Sequence, residues 1–184
     1  PSERHDLMRH LLSTALLVLG ASVALAHGPT PQKVSESITI KAKPDAVWKA
    51  VGNFAGMKDW HPAVEKSEGA KDDKDGGQRT VTLKNGGVLK ESLDEYKADG
   101  FTYSYRSDDA DLKALPVSSY SATVTVTPEG DGSRVEWMGR FYRGDTGNEP
   151  PETLSDAAGR EAMTRYFADG LKGLKARLEG GARQ

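Results

Sequence analysis

Residues 117–142 read VSSYSATVTVTPEGDGSRVEWMGRFY, and this stretch decides the fold. It contains two runs in which apolar and polar side chains alternate, separated by a turn at residues 128–132. Such alternation is typical of β-strands that bury one face. The predicted buried faces carry Tyr120, Ala122, Val124 and Val126 in the first run and Val135, Trp137, Gly139 and Phe141 in the second. The two runs are therefore expected to form a hairpin that needs a second layer over its apolar side.

The rest of the chain supplies more strands and that second layer. Five further strands are predicted at residues 33–41, 64–68, 78–83, 88–96 and 101–107. Apolar residues at 163, 166, 167, 171, 174 and 178 have helical spacing and predict a long helix over residues 152–178. The glycines at 159, 170 and 173 each weaken this helix by up to about 1 kcal/mol relative to alanine, but they permit close approach to a sheet.

Two short helices are expected directly after the first strand. Pro44 suits the first turn of a helix, where its missing N–H costs nothing, and Asp45 favours the positive N-terminal end. Gly52 ends this helix, and a second one at residues 56–60 stops before Pro62. The predicted fold class is α+β, with a curved antiparallel sheet of about seven strands around a long C-terminal helix.

Composition is that of an ordinary globular protein with one domain. The chain has 184 residues, a net charge of −2 and no cysteine. This length is sufficient for one hydrophobic core. Acidic and basic residues are interspersed, without the basic footprint of a nucleic-acid-binding protein, so no nucleic-acid partner is expected. A chain without cysteine cannot be a disulfide-stabilised scaffold.

Residues 1–26 are predicted to be a secretory signal peptide, with Met8 as a start residue and residues 1–7 upstream of it. Residues 11–25 are almost entirely apolar, and Ala24-Leu25-Ala26 matches a cleavage site before His27. The alternative is a membrane anchor, but an apolar run of about 15 residues is shorter than the roughly 20 of a spanning helix. We therefore expect a periplasmic protein without a membrane span after cleavage. A linker at 27–32, a folded domain at 33–179 and a flexible tail at 180–184 would follow.

A largely apolar wall is predicted around a cavity between the sheet and the long helix. Side chains that share a face alternate along each strand, so the inward set can be assigned from parity. The predicted cavity lining is Leu89, Glu91, Leu93, Phe101, Tyr103, Tyr105, Tyr120, Ala122, Trp137, Phe141, Met163, Phe167 and Leu171. For each aromatic residue of this set, plain core packing is the alternative to lining a ligand cavity.

Glu91 is the one carboxylate in that set. A buried carboxylate is costly unless it is paired or protonated. Two roles are open for Glu91: structural partner of a tyrosine or an arginine, and polar contact for a bound ligand. No inward histidine or lysine is identified beside it, although acid–base chemistry by Glu91 with a tyrosine stays open.

Few residues could hold a metal ion or perform catalysis. Beyond the signal peptide, His27 and His61 are the only histidines, so no zinc or iron site, no cofactor and no catalytic residue is expected. His27 could bind copper through its ring and α-amine if cleavage exposes it. The acidic groups at 72–75 and 108–111 lack the spacing of a calcium loop. His61 follows a short helix and is expected, with Trp60, at the mouth of the cavity.

Several short motifs, in order, resemble one known superfamily. They are Pro44-Asp45-Ala46-Val47-Trp48, Trp60-His61-Pro62, Gly86-Gly87-Val88-Leu89-Lys90-Glu91-Ser92-Leu93, Tyr103-Ser104-Tyr105-Arg106, Leu115-Pro116-Val117 and Val135-Glu136-Trp137. From about Val34 to Leu178 the chain resembles the SRPBCC superfamily, with its START or Bet v 1-like helix-grip fold, and especially the polyketide cyclase/dehydrase-like branch. With its export signal, it is similar to the MxaD-like accessory proteins of bacterial methanol oxidation.

The resemblance implies a hydrophobic cavity whose mouth is bordered by Leu115 and Pro116. It also implies a non-enzymatic periplasmic role, with a small hydrophobic ligand or with a dehydrogenase and its cytochrome as partner. A lipid or isoprenoid carrier is one alternative, and a cyclase or dehydratase acting on a hydrophobic substrate is another. Cavity volume separates these readings, because a carrier needs a large open pocket and a surface-acting accessory protein does not.

Overall fold

The computed structural model describes residues 28–180, so the predicted signal peptide, His27 and residues 181–184 lie outside it. The described chain is α+β, and the predicted helix-grip architecture is confirmed. The strands are β1 Gln32–Ile40, β2 Val64–Gly69, β3 Gln78–Leu83, β4 Val88–Lys97, β5 Thr102–Ser107, β6 Val117–Glu129 and β7 Gly132–Arg143. The helices are α1 Pro44–Val51 and α2 Asp156–Gly180, with 3-10 turns at Phe54–Asp59 and Glu152–Leu154.

One antiparallel sheet contains all seven strands, in the order β1-β7-β6-β5-β4-β3-β2. Six of these strands follow one another as neighbours, whereas β1 crosses to pair with β7 at the far end of the chain. The sheet curves into a half-barrel, and α2 lies against its concave side, where it contacts β1 and β7. No helix within residues 28–180 is both long and apolar enough to cross a membrane.

The two short helices close one end of the concave side. Helix α1 begins at Pro44 and ends before Gly52, as predicted, and it buries Val47, Trp48 and Val51. The second helix is a 3-10 turn at residues 54–59 rather than at 56–60, and it buries Phe54 and Met57. This turn contacts β2 and β3, so its side chains reach the same interior as those of α2.

Helix α2 begins four residues later than predicted. Ser155 caps it: the Ser155 hydroxyl accepts a hydrogen bond from the Ala158 N–H at 3.2 Å and donates one to the Glu152 carbonyl at 2.7 Å. The preceding residues therefore form a separate 3-10 turn. The predicted apolar stripe faces the sheet, with Met163, Phe167 and Leu171 among the buried residues.

Strand β4 departs from strict alternation through a bulge between Leu93 and Glu95. The extra residue, Asp94, shifts the parity, so that Tyr96 instead of Glu95 faces the interior. Tyr96 packs there on Trp48, with ring centroids 5.5 Å apart. Phe101 was predicted inside β5 but precedes it with φ +50°, in a turn, and is partly buried against Trp48.

The glycines of α2 let the helix approach its neighbours closely, as predicted. A Cβ atom at Gly159 would lie 2.8 Å from the Phe141 ring, and one at Gly170 would lie 2.6 Å from the His61 ring. At Gly173 a Cβ atom would overlap the backbone carbonyl oxygen of Trp60, which cannot rotate away. The helix therefore rests on the Trp60–Pro62 segment through glycine rather than through side chains.

Replacing Gly173 by alanine is expected to lower the free energy of unfolding by about 1–3 kcal/mol, because backbone would have to move. Urea denaturation followed by circular dichroism measures this. Gly180→Ala is the matched control on the same helix, since a Cβ atom there meets nothing within 4 Å. The control should be neutral or slightly stabilising, and a Gly173→Ala variant as stable as this control would contradict the close-approach explanation.

Candidate functional site

The predicted cavity lining does meet between the sheet and α2, where its side chains pack against one another. Of the thirteen predicted lining residues, twelve are buried and Phe101 is partly buried. Trp137 stacks on Phe167 with ring centroids 4.4 Å apart and an interplanar angle of 12°. The Trp137 indole N–H donates to the Tyr105 hydroxyl at 3.0 Å. The interior is thus an aromatic core into which polar groups are built.

A fully buried ion pair lies within this core. Arg79 of β3 and Glu91 of β4 occupy paired positions, and Arg79 Nε donates to Glu91 Oε2 at 2.5 Å. Both side chains have 0% exposure. The second carboxylate oxygen, Oε1, accepts a hydrogen bond from the Tyr120 hydroxyl at 2.6 Å. Glu91 therefore has both of the structural partners that the sequence left open, an arginine and a tyrosine.

The Arg79 guanidinium is held on several sides. Its Nη1 donates to the Phe54 carbonyl at 2.8 Å, and its carbon lies 3.9 Å from the Phe54 ring centroid and 4.8 Å from that of Tyr105. Contacts of a cation with ring faces are favourable, and more so when water is excluded. Four buried polar atoms lack a well-aligned hydrogen-bond partner within the described residues: Trp60 Nε1, Arg79 Nη2, the Tyr103 hydroxyl and Asp156 Oδ1. Of these, Arg79 and Tyr103 lie next to each other, close enough for Arg79 to act on the pKa of Tyr103.

Arg79 was missed by the sequence prediction, although the signal was present. Polar and buried positions alternate along β3, and the buried ones are residues 79, 81 and 83. Arg79 therefore shares the buried face of Val81 and Leu83. The same parity that placed Glu91 inside should have placed Arg79 opposite it.

The pKa values of Arg79 and of the buried tyrosines around it are raised above their ordinary values. Burial acts to lower the pKa of Arg79, but Glu91 and the neighbouring tyrosines raise it above its ordinary value. Burial raises the pKa of Tyr103 to about 12, against the opposing effect of Arg79. Burial and Glu91 together raise the pKa of Tyr105 and Tyr120 well above the ordinary value. At neutral pH the arginine is charged and the phenols are protonated.

His61 and Trp60 lie in the core, not at an open mouth as the sequence suggested. Both residues are buried, with exposures of 2% and 5%. The Ala63 N–H donates to His61 Nδ1 at 3.1 Å, so Nε2 carries the proton and donates it to the Tyr166 carbonyl at 2.9 Å. Burial lowers the pKa of His61 from 6.5 to about 4. The imidazole is therefore neutral, and both of its nitrogens bond to backbone.

A small crevice opens towards the Leu115–Pro116 segment, where the cavity mouth was predicted. It has no room for a water molecule in this structure, and its lining includes Leu89, Leu115, Val117 and Tyr120. The segment above it is tied to the strands, since Asp111 accepts hydrogen bonds from the Val88 N–H at 2.7 Å and the Lys113 N–H at 2.9 Å. The Tyr120 hydroxyl links this crevice to Glu91 behind it.

Metal-ligating side chains do not gather in the part of the chain that the structure describes. Within residues 28–180 no group of three or more His, Cys, Asp or Glu side chains could hold a metal ion. The acidic residues of the 108–111 turn bond to the protein instead: Asp108 accepts from the Ser92 hydroxyl at 2.6 Å. The copper hypothesis for His27 concerns a residue outside this range.

Comparisons with known proteins agree with this architecture. A family model described as polyketide cyclase / dehydrase and lipid transport matches residues 31–179. No curated protein matches the chain. Among solved structures, the protein XoxI from Bacillus cereus is 25% identical, with a TM-score of 0.68 over 83% of this chain and 99% of that chain.

Two more distant structures share the fold alone. The ZhuI aromatase/cyclase from Streptomyces sp. R1128 is 15% identical, with a TM-score of 0.67 over 84% of this chain and 97% of that chain. Ara h 8.0201 is 16% identical, with a TM-score of 0.62 over 82% of this chain and 99% of that chain. The helix-grip fold is thus common to proteins whose sequences have diverged widely.

Replacing Glu91 by glutamine is expected to lower the free energy of unfolding by roughly 3–5 kcal/mol, because it leaves the Arg79 charge buried without its carboxylate. Urea denaturation measures the loss. Glu95→Gln is the matched control on the same strand, since Glu95 pairs with Lys97 at the surface. The control should leave stability unchanged. Equal stability of the two variants would rule out the structural role of Glu91.

The stability of the protein is expected to depend on His61 at mildly acidic pH. Between pH 6.5 and about 4, the unfolded chain binds a proton at His61 that the folded protein does not. The contribution of neutral His61 to the free energy of unfolding is therefore fully present above pH 6.5. It is lost as the pH falls towards 4, by up to about 3 kcal/mol.

Urea denaturation of the wild type and of His61→Gln across this interval measures the effect. The glutamine variant cannot titrate, so any difference in stability in favour of the wild type should shrink as the pH falls. Other titrating groups act equally in both proteins. A difference that stays constant with pH would exclude a neutral buried His61.

Proposed function

Because the chain belongs to the polyketide cyclase / dehydrase and lipid transport family, we propose that it binds a small hydrophobic ligand and performs no covalent chemistry of its own. The fold of the family suggests hydrophobic ligand binding. The observation that carries the proposal for this chain is the pair of unpartnered polar atoms, Arg79 Nη2 and the Tyr103 hydroxyl, inside an aromatic interior.

These two atoms define what the polar end of the ligand would be. Both are N–H or O–H donors, and a buried donor without an acceptor costs about 1–3 kcal/mol. A carbonyl or hydroxyl oxygen on the ligand would satisfy them, and the surrounding rings of Phe54 and Tyr105 would contact its apolar part. Such a ligand is mostly apolar and carries one oxygen-bearing end.

Access to these groups would run through the crevice beneath the Leu115–Pro116 segment. The crevice has no room for a water molecule, whereas pockets for small molecules have volumes of roughly 300–1,000 Å³. Binding would therefore require outward movement of the 108–116 segment and of Tyr120. Of the hydrogen bonds of Asp111 that hold this segment, the one from Lys113 is exposed and the one from Val88 is only partly buried, so water can replace them as the segment moves.

The absence of covalent chemistry is proposed from the state of the interior groups. A general acid or base works best with a pKa near the operating pH and with a free atom facing the substrate. The pKa of His61 is lowered to about 4 and that of Tyr103 raised to about 12, and both oxygens of Glu91 are already engaged. These groups can position a ligand but are poorly suited to exchanging protons with it.

The location proposed for this binding is the periplasm, after removal of residues 1–26. A second candidate function is that of an MxaD-like accessory protein, which would assist electron transfer between a periplasmic dehydrogenase and its cytochrome through its outer surface. The close packing of the interior rings favours this candidate, because surface action needs no cavity. A lipid or isoprenoid carrier would require a much larger opening, and a cyclase or dehydratase would require the proton-transfer groups discussed above.

Native mass spectrometry of the protein purified from its own periplasm tests the proposal. A mature chain that begins at His27 and carries one non-covalent adduct of small-molecule mass would support both the ligand and the compartment. Only the bare protein mass, in repeated preparations, would contradict ligand binding and leave the surface-acting accessory role.

Replacing Tyr103 by phenylalanine is expected to lower ligand affinity about three- to tenfold without loss of stability. The hydroxyl has no well-aligned hydrogen bond in the described chain, and its neighbour Arg79 keeps its bonds to Glu91 and Phe54 when the hydroxyl is removed. The fraction of protein that carries the adduct and the urea midpoint are the two measurements. Tyr105→Phe is the matched control: Trp137 then loses its acceptor, so stability should fall by about 1 kcal/mol. An unchanged adduct fraction in Tyr103→Phe would refute this placement of the ligand.

A further inference from the structure

The convex face of the sheet carries a row of basic residues at its β1–β7–β6–β5 region. Lys33 of β1 pairs with Arg140 of β7. Arg140 in turn pairs with Ser121 of β6, and Ser121 pairs with Arg106 of β5. Paired positions in an antiparallel sheet point to the same side. The two arginines therefore flank Ser121 with their Cα atoms roughly 10 Å apart, which is twice the strand spacing. Both side chains leave the sheet on the face opposite α2.

The positive charge of this row is only partly compensated. Arg106 forms an ion pair with Asp94, the bulged residue of β4. Within residues 28–180, neither a hydrogen bond nor an ion pair engages the side chain of Arg140 or Lys33. Three cations thus face one carboxylate here. An arginine without a carboxylate partner on a rigid strand is preorganised to bind an anion.

The row borders a concave groove rather than a flat surface. The groove has a volume of about 480 Å³, within the range of small-molecule sites. Besides the two arginines, its walls include Pro31, Ser119, Ser121 and Tyr142. Tyr142 is 39% exposed, one of two large apolar side chains so exposed in the described chain. Its ring and Pro31 give the groove an apolar side next to its cationic side.

We propose that this groove binds a small molecule that combines a ring with a carboxylate or phosphate group. The anionic group would lie over Ser121 between Arg106 and Arg140, accepting hydrogen bonds from both guanidinium groups and from the serine hydroxyls. The ring would pack against Tyr142 and Pro31. Carboxylate and phosphate both present the paired oxygens that a guanidinium group recognises. A ring attached to the anionic group would contact Tyr142 and Pro31 on the apolar side of the groove.

This site uses other charged groups than the interior site of the proposed function, although Ser107 and Tyr120 border both the groove and the interior crevice. The side chains of Arg106 and Arg140 leave the convex side of the sheet, whereas Arg79 and Tyr103 are buried on the concave side. Occupation of the groove needs no movement of the 108–116 segment. The two tests stay distinguishable, because the groove is tested through Arg106 and Arg140 and the interior site through Tyr103.

Titration with benzoate and with phenyl phosphate, followed by amide chemical shifts in the ¹H–¹⁵N spectrum, tests the groove. We expect saturable shifts of the amides of Ser119, Ser121 and Tyr142 with at least one of the two probes, weakening with added salt. Benzyl alcohol has the ring without the charge and should leave these amides unshifted. Equal shifts with benzyl alcohol, or none with either anion, would overturn the proposal.

Charge-removing variants locate the anion. Arg140→Gln should weaken binding of the responsive probe at least fivefold, and Asp94→Asn should strengthen it, because Arg106 is then released from its ion pair. Arg134→Gln is the matched control: Arg134 lies on the same strand and face, six residues or roughly 20 Å away. It should change affinity less than twofold. Equal losses in Arg134→Gln and Arg140→Gln would show general attraction by net charge and overturn the site.

Discussion

The ion pair between Arg79 and Glu91 is the interaction on which the interior depends. It joins β3 to β4, and through the Phe54 carbonyl it also joins the sheet to the first 3-10 turn. Removing two charges from water is expensive, and only close pairing with further hydrogen bonds offsets that cost. The bonds from Tyr120 and to Phe54 are those further bonds. The sheet, the 3-10 turn and the closing helix therefore stabilise one another, because each keeps water away from the same pair.

The strands and helices could be predicted to within a few residues because their periodicities are strong. Parity along β5, β6 and β7 assigned the buried faces correctly, apart from the turn position of Phe101. The differences arise where a local interaction interrupts a period. Because Ser155 caps α2, the helix begins later than its period predicts. Because of the bulge at Asp94, Tyr96 faces the interior in place of Glu95. Neither device leaves a repeating signal in the sequence.

The candidate site was predictable in part. Parity placed Glu91 inside and could have placed Arg79 as well. His61 could not be placed, because residues 53–63 have no repeating pattern and its burial depends on Tyr166, 105 residues further along the chain. Parity also cannot distinguish a cavity from a filled core, since both have the same apolar faces. That distinction depends on how rings such as Trp137 and Phe167 fit together in three dimensions.

The pairing of the first strand with the last has a consequence for how the protein folds. The hydrogen bond between Ser35 and Glu136 joins residues 101 positions apart, and the whole of β1 depends on such contacts. Closing so large a loop is slow. Because β1 pairs with β7, the sheet also cannot be completed until β7 has been synthesised. Until then β1 has no neighbour, and α2, which covers the concave face, follows later still. This order of events leaves the concave face of the growing sheet uncovered until the residues of α2 have been added.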